Sequence, residues 1–367
     1  MSSQMKIAII HDYLNQYGGA ERVVEAMHEV FPDAPIYTSI FLPEKLPPVF
    51  SRMDIRPSFM QRLPSLDRHF KKYLLLYPIA IESFDLNGYD VILSSSSAFA
   101  KGASMPQGTC HICYCYTPMR FVWETESYLA QEEFNRFYKM ILPLALWRLR
   151  NWDLKTIDRV HHYIGISRHI CRKIGRLYSR QADLIYPPVD LSRFSISEKQ
   201  DDYFLVVSRL NTYKRIDLVI NAFNRLSLPL VVIGTGPYEE KLKKMAKKNI
   251  VFLGRVSDEE LAQYLGNCRA FIFPGEEDFG IAPVEAMASG RPVIAYGRGG
   301  ALETVVDGLT GTFFRGKTTE DLIDAIHRFE KMSFDPQNIR RHAEQFDKEV
   351  FKEKIKSYVN EKFQTFH

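Results

Sequence analysis

The chain has 367 residues, of which 46% are hydrophobic and 25% charged, so wholesale disorder is excluded and two cores suit the length better than one. A formal net charge of +4 is too small to argue for nucleic acid as a partner. No run reaches the roughly 18 apolar residues of a membrane-crossing helix, the longest candidates being Tyr73–Ile81 and Met140–Trp147.

The five cysteines, Cys110, Cys113, Cys115, Cys171 and Cys268, form an odd set, and Met1–Gln4 is short and polar rather than a leader. Both features predict a reducing cytoplasm. Cys110–Tyr116 reads as a strand with Cys113 and Cys115 on one face and Cys110 on the other. No second ligand cluster follows at zinc-like spacing, so no metal is expected.

Lys6–Ile10 predicts a first strand, followed by a polar turn with Gly18 and Gly19 and an amphipathic helix to about Val30. Paired glycines let backbone approach a phosphate or sugar at a helix start, although any tight turn needs them too. Pro35–Phe41 predicts a strand among prolines. From Arg56 to Lys72, five basic residues (Arg56, Arg62, Arg68, Lys71, Lys72) stand against Asp67, with Phe59, Met60, Leu63, Leu66 and Phe70 interleaved. Phe134–Lys155 repeats the character, with Arg136, Lys139, Arg148, Arg150 and Lys155 against Asp153, around Met140–Trp147 and Trp152. The stretches 56–81 and 134–155 therefore fit either the solvated faces of ordinary helices or peripheral contact with an anionic membrane.

Between them, Val91–Ser94 reads as a strand leading into a serine-rich turn, and Cys110–Tyr116 runs into Thr117-Pro118. Strand ends face the ligand in a doubly wound sheet. Tyr116 and Arg120 are thus candidate contacts, although Arg120 serves equally as a salt-bridge partner of Glu124 or Glu126. Val160–Ile166 is the next strand, and a basic helix runs to about Tyr178. Ile185–Asp190 reads as a last strand and a stiff linker, with the hinge at Pro187–Ser197.

Strand and helix then alternate. Strands are expected at Tyr203–Val207, Leu230–Ile233, Ile250–Leu253, Ala270–Phe273 and Pro292–Tyr296, with helices from Ile216, Glu239 and Ser257, another around Glu285, and helix after Thr318. Repeated βα units mean a parallel sheet with ligands at its carboxyl ends. Gly234-Thr235-Gly236 and Gly299-Gly300 are two such ends, and Ser257–Glu260 is a capping box.

The richest end is Gly275–Met287. Pro283 suits a first helical turn and Gly280 permits close backbone approach, which leaves the N–H groups of Gly280, Ile281 and Ala282 for an anion. A carboxylate repels phosphate, so Glu277 and Glu285 are assigned to hydroxyls on either side, a description of a sugar nucleotide. Two acids at a helix start also simply offset its dipole. On the turn Ser208–Lys214, Arg209 and Lys214 supply fixed positive charge for a departing diphosphate without a metal.

Glu277 and Glu285, at the two ends of Glu-Asp-Phe-Gly-Ile-Ala-Pro-Val-Glu, together with Ser208-Arg209-Leu210 and Lys214, resemble the retaining glycosyltransferases of family four, and the likeness covers nearly the whole chain. The resemblance implies an α/β protein of GT-B fold, two Rossmann-like, doubly wound parallel-sheet domains facing across a cleft. It implies an acceptor-binding domain over 1–188, a nucleotide-sugar-binding domain over 189–345 and a terminal helix over 346–367 that crosses back to the first domain. Donor contacts are implied at Gly18, Gly19, Gly234 and Phe279, and at Arg255 and Val256, where the backbone after Gly254 holds the base. The glycine turn is implied to lie near the acceptor as well, with Arg120 beside it. Related bacterial enzymes commonly carry a His before the Thr-Pro turn that helps hold the donor sugar. Tyr116 stands there in this chain, a poor base near neutral pH.

Within the family, His11-Asp12-Tyr13-Leu14, Tyr17–Arg22 and Tyr116–Trp123 look most like bacterial mannosyltransferases of O-antigen and exopolysaccharide assembly. The expected function is transfer of mannose from GDP-mannose, with retention, to a glycan on a polyprenyl diphosphate. Arg209, Lys214 and Glu277 would carry the chemistry. No Asp-x-Asp pair sits at a strand end, so metal-independent transfer is expected, with no cofactor besides the donor. The implied location is the cytoplasm, at the inner face of its membrane where the basic stretches touch lipid. The alternatives are a GT-B sugar-nucleotide epimerase and a non-catalytic membrane- or nucleic-acid-associated protein.

Overall fold

The computed structural model describes residues 5–125 and 136–366, with side chains from 142 onward in the second stretch. Residues 1–4, Glu126 and Phe134, named above, lie outside the described residues, as do the side chains of Arg136 and Lys139. The chain forms two compact units, Met1–Pro188 with Glu349–His367, and Val189–Lys348.

The first unit is built on seven parallel strands: β1 (Ile7–His11), β2 (Ile36–Thr38), β3 (Ile55–Pro57), β4 (Val91–Ser96), β5 (Cys110–Cys115), β6 (His162–Gly165) and β7 (Ala182–Leu184). They lie in the order β3-β2-β1-β4-β5-β6-β7. β1, β4 and β5 are buried along their whole length, as a parallel sheet covered on both faces requires, and this explains their unbroken apolar and small-residue runs.

Two edge strands differ from expectation. β3 falls inside the basic stretch and carries too little hydrophobic signal to be read. Its Arg56 is gripped by Asp54 at 2.6 and 3.0 Å and donates to the Tyr37 hydroxyl at 2.9 Å, so this cation finishes the sheet edge. β7 lies before Ile185 rather than after it, because a half-exposed edge strand needs no apolar run.

On one face, Tyr77, Ile81, Leu146 and Leu149 pack around Phe99 and Ile92. The terminal helix Lys348–Phe366 buries Phe351, Ile355 and Val359. It is held by Phe351 against the Tyr114 ring at 5.6 Å, by Lys352 paired with Glu29 at 3.2 Å and by Tyr358 donating to Asp183 at 2.7 Å. No helix among the described residues is long and apolar enough to cross a membrane.

The second unit has six parallel strands: β8 (Phe204–Val207), β9 (Leu230–Ile233), β10 (Ile250–Gly254), β11 (Ala270–Phe273), β12 (Val293–Tyr296) and β13 (Gly311–Phe314). Their order is β10-β9-β8-β11-β12-β13. Phe204, Val206, Val232 and Ile272 turn to one face, where Leu218, Phe223, Leu322 and Ile326 of two helices cover them. Leu205, Phe271 and Val293, equally buried, alternate to the other face. The short strand β13, Gly-Thr-Phe-Phe, was not read from sequence.

Most of the stretch expected to be a hinge is fixed to this unit. The Arg340 guanidinium donates to the carbonyls of Leu191 (3.2 Å) and Phe194 (2.6 Å), and that of Arg291 to Ser197 (3.1 Å) and Lys199 (2.7 Å). These charge-assisted bonds hold residues 191–199 to the second unit, and the division between the units falls at Pro188 and Val189, at the start of the expected stretch.

Candidate active site

In a parallel sheet all strands end on one edge, and the second unit's carboxyl edge is laced into a continuous belt. The Gly234 amide donates to the Gly254 carbonyl at 2.7 Å, and the Leu210 amide to the Thr235 carbonyl at 3.0 Å. Lys214 is ion-paired with Glu277. The Gly300 amide donates to the Glu277 carbonyl at 2.7 Å, and the Gly297 amide to the Phe314 carbonyl at 2.8 Å. Every turn singled out from sequence in this half is therefore part of one connected edge.

The centre of the belt is the turn after β11. Gly280 has φ of +92°, a conformation that costs a side-chain-bearing residue dearly, and it caps the helix Ile281–Ala288. The first amides of a helix have no intrahelical acceptors, so Gly280, Ile281 and Ala282 offer donors together with the positive end of the dipole. Gly300 is needed for a different reason: a Cβ there would run into the backbone of Phe279. Glu285 is 7% exposed within the same helix, and the buried Phe279 ring lies 5.6 Å from that of Phe346. Arg209 is exposed at the end of β8, as is Arg255 after β10 with the half-buried Val256 beside it. Gly275 packs against the backbone of Lys214, so the cation and the acid-bearing turn are fixed to each other through the main chain as well.

The corresponding edge of the first unit gathers His11, the glycine turn, Ser95 and Tyr116. Asp12, 1% exposed, accepts from the amides of Ser97 (2.6 Å), Ala98 (3.0 Å), Phe99 (2.7 Å) and Ala100 (2.6 Å) and from the Ser97 hydroxyl (2.9 Å). Gly18 and Gly19 open the helix Gly19–Val30, and the Gly18 amide donates to the Glu21 carboxylate at 2.8 Å. Arg120 is half-exposed, 3.7 Å from Glu124, which in turn pairs with the buried Lys173 at 2.5 Å. The Tyr116 hydroxyl donates to the Ala20 carbonyl at 3.0 Å and lies 2.7 Å from the Ser95 hydroxyl. Burial raises its pKa well above the ordinary phenol value, so it remains a protonated donor.

Two family models match adjoining parts of the chain, "Glycosyltransferase Family 4" over residues 17–193 and "Glycosyl transferases group 1" over residues 190–346. An alpha-1,3/1,6-mannosyltransferase of Dictyostelium discoideum is 27% identical over 316 residues, 73% of this chain and 72% of that protein. A GDP-mannose-dependent alpha-(1-6)-phosphatidylinositol monomannoside mannosyltransferase of Mycolicibacterium smegmatis is 34% identical over 193 residues, 44% of this chain and half of that one. The crystal structure of HepE from Anabaena in complex with UDP superposes with a TM-score of 0.74 at 18% identity, covering 97% of this chain and all of the other. The chain is a glycosyltransferase of GT-B fold.

Three groups of this glycosyltransferase were not singled out from sequence. Asp12 and Ser95 stand at strand ends that were read, and the signal for Asp12 was an acid directly after an apolar strand, where desolvation demands a full set of donors. The buried pair Lys101–Asp153, 3.1 Å apart with Trp123 donating to Asp153 at 2.8 Å, could not be seen, since its members are 52 residues apart. Among the described residues no three His, Cys, Asp or Glu side chains converge as a metal site would need.

Proposed function

We propose that the enzyme transfers mannose from GDP-mannose, with retention at the anomeric carbon and without a metal, to a glycan carried on a polyprenyl diphosphate in surface polysaccharide synthesis. The Lys214–Glu277 pair beside the open amides of Gly280–Ala282 carries this reading. Glu277 orients the ammonium, whose other N–H groups remain for phosphate oxygens. Arg209 and Lys214 stabilise charge on the diphosphate as the bond from the anomeric carbon to the phosphate oxygen breaks and its electron pair leaves with the nucleotide. The acceptor hydroxyl attacks from the face the diphosphate is leaving and gives its proton to the departing phosphate oxygen, so no enzyme nucleophile is required. Glu277 also holds sugar hydroxyls, Glu285 the ribose, and the backbone at Arg255 and Val256 the base, with Gly234 and Phe279 lining the donor. The first unit serves the acceptor through Gly18, Gly19 and Arg120. Mannose is favoured by the two mannosyltransferase relatives, while HepE, crystallised with UDP, is the reason the test spans several nucleotides.

The test is a thermal-shift series with GDP-, UDP-, ADP- and dTDP-sugars, followed by product analysis. A shift with GDP-mannose that Lys214→Ala abolishes is expected, and no shift with any of the four would remove the reading. An isomerised sugar nucleotide formed without acceptor would replace transfer by epimerisation.

Peripheral contact with an anionic membrane through 56–81 and 134–155 belongs to the same proposal. Leu144, Trp147 and Leu154 are 54%, 61% and 41% exposed, with Arg148 and Lys155 exposed along the same helix. Spacings of three and seven residues put all five on one face. Retention on phosphatidylglycerol vesicles, weakened by salt and by Trp147→Glu, is expected; no retention at low salt would dispose of the contact.

A further inference from the structure

The Tyr116 phenol has a single O–H, and the Ala20 carbonyl takes it at 3.0 Å, because a carbonyl can only accept. The Ser95 hydroxyl, 2.7 Å away, must then donate to the phenol oxygen. Having given its proton to Tyr116, Ser95 accepts in turn from Nδ1–H of His11 at 3.0 Å. One direction of donation thus runs through the whole chain, from His11 to Ser95 to Tyr116 to Ala20. The register supports it: His11 and Ser95 are paired across β1 and β4, and Tyr116 directly follows β5, which lies beside β4. In this tautomer the other ring nitrogen of His11 carries no proton and makes no hydrogen bond to Glu21, 3.8 Å away; Glu21 separately accepts from the Gly18 amide at 2.8 Å. The chain of donation therefore ends on the short turn Gly18 through Glu21, which opens the helix Gly19–Val30 and which Glu21 braces separately through the Gly18 amide. Gly18 and Gly19 have no side chains of their own to fix them, so the turn is held by the Tyr116 bond to the Ala20 carbonyl and by the Glu21 bond to the Gly18 amide.

We propose that Tyr116 is a positioning residue that, with Ser95 and His11, clamps the Gly18–Ala20 turn in the place where it receives the acceptor, and does not itself touch the donor sugar. The phenol proton is already committed to Ala20, so Tyr116 has no hydrogen to give a sugar hydroxyl. The functional part of this inference rests on the acceptor-side role given to the glycine turn above; the clamp stands on the geometry.

The test uses the full-length protein and Tyr116→Phe, which removes one oxygen and leaves the ring in place, with Ser95→Ala as a second variant that keeps the phenol. Amide hydrogen exchange over residues 17–22 is expected to quicken about ten-fold in both, the loss of one buried hydrogen bond, with exchange in β1, β4 and β5 unchanged. With GDP-mannose as donor and N-acetylglucosaminyl diphosphoprenol as acceptor, the KM for acceptor rises by a similar factor, while kcat and the KM for GDP-mannose hold. Unchanged exchange over 17–22 would overturn the clamp. A rise in the donor KM with the acceptor KM unaltered would make Tyr116 a donor contact instead. If the wild type transfers to no acceptor, the functional reading fails by itself and the exchange measurement still decides whether the clamp exists.

Discussion

Lys214 and Glu277, 15% and 26% exposed, form a largely buried pair, and such a pair adds little net stability because the cost of desolvating both members offsets their attraction. Their worth lies in orientation. Lys214→Ala is therefore expected to lower kcat by about 10²–10³-fold, the usual loss for one preorganised charge-stabilising donor, while costing about 1–3 kcal/mol of stability because Glu277 is left without its cation. Steady-state kinetics beside a urea melt separates the two effects. The next residue tells a different story. Arg215 has φ of +56° at the start of the helix Ile216–Leu226, a left-handed conformation that costs a residue with a Cβ about 1–2 kcal/mol. Arg215→Gly is expected to stabilise the protein by about 1 kcal/mol once the entropy of glycine is subtracted. A lower melting temperature for the variant would mean that the Arg215 contact to Asp217, at 3.5 Å, outweighs the strain. Lys214 was legible in the sequence as a cation on a strand-end turn, whereas the strain at Arg215 was not, since nothing in the letters shows a φ angle.

At the scale of elements, the site consists of turns held by other turns. The serine-rich turn after β4 is shaped by a carboxylate from the end of β1, and Asp12→Ala would leave four buried amides with no acceptor. A loss of about 3–5 kcal/mol is expected, read from chemical denaturation; a loss under about 1 kcal/mol would mean that water replaces the carboxylate. In the second unit the turn after β12 rests on the turn after β11, and Gly300 sits where a methyl group would strike the Phe279 backbone. Gly300→Ala is expected to cost about 1–3 kcal/mol and to abolish nucleotide-induced stabilisation, because the displaced turn carries Glu277. The sequence marked these turns by their glycines and acids. It did not show which turn supports which, because that follows from strand order: β11 lies between β8 and β12, and so the turn bearing Glu277 meets Lys214 on one side and Gly300 on the other.

At the scale of the molecule, stability should depend on pH through a buried imidazole. His111 lies in β5 with its Nδ1 donating to the Arg159 carbonyl at 2.9 Å and its Nε2 accepting from Ser94 at 2.8 Å, and burial pushes its pKa down to about 3. The unfolded chain takes up this proton below about pH 6.5, where the folded one does not. The stabilisation is therefore present above that value and lost as pH falls from about 6.5 towards about 3. Wild type should lose about 2 kcal/mol more than His111→Gln between pH 6.5 and 5, and parallel curves in pH-dependent melts would refute the assignment.

What the letters decided unaided was the βα alternation, the central strands and the identity of the chemical turns, because each is local: an unbroken apolar run, a glycine, a cation or acid at a strand end. β3 and β7 are not legible because they are three-residue, half-exposed edge strands held by their neighbours more than by their own hydrophobicity, and β13, though mostly buried, because its four residues begin with a glycine and a threonine. Arg56 shows the same limit: the letters present it only as one cation of a basic run, and its bonds to Asp54 and Tyr37 follow from the pairing of β3 with β2. Only the folded chain could decide how Lys214 and Glu277, 63 residues apart, come to share an ion pair, or that Tyr116 spends its proton on Ala20, 96 residues before it. Contacts of such separation depend on strand order and register, which are settled by the packing of whole sheets and leave no mark on the residues beside them.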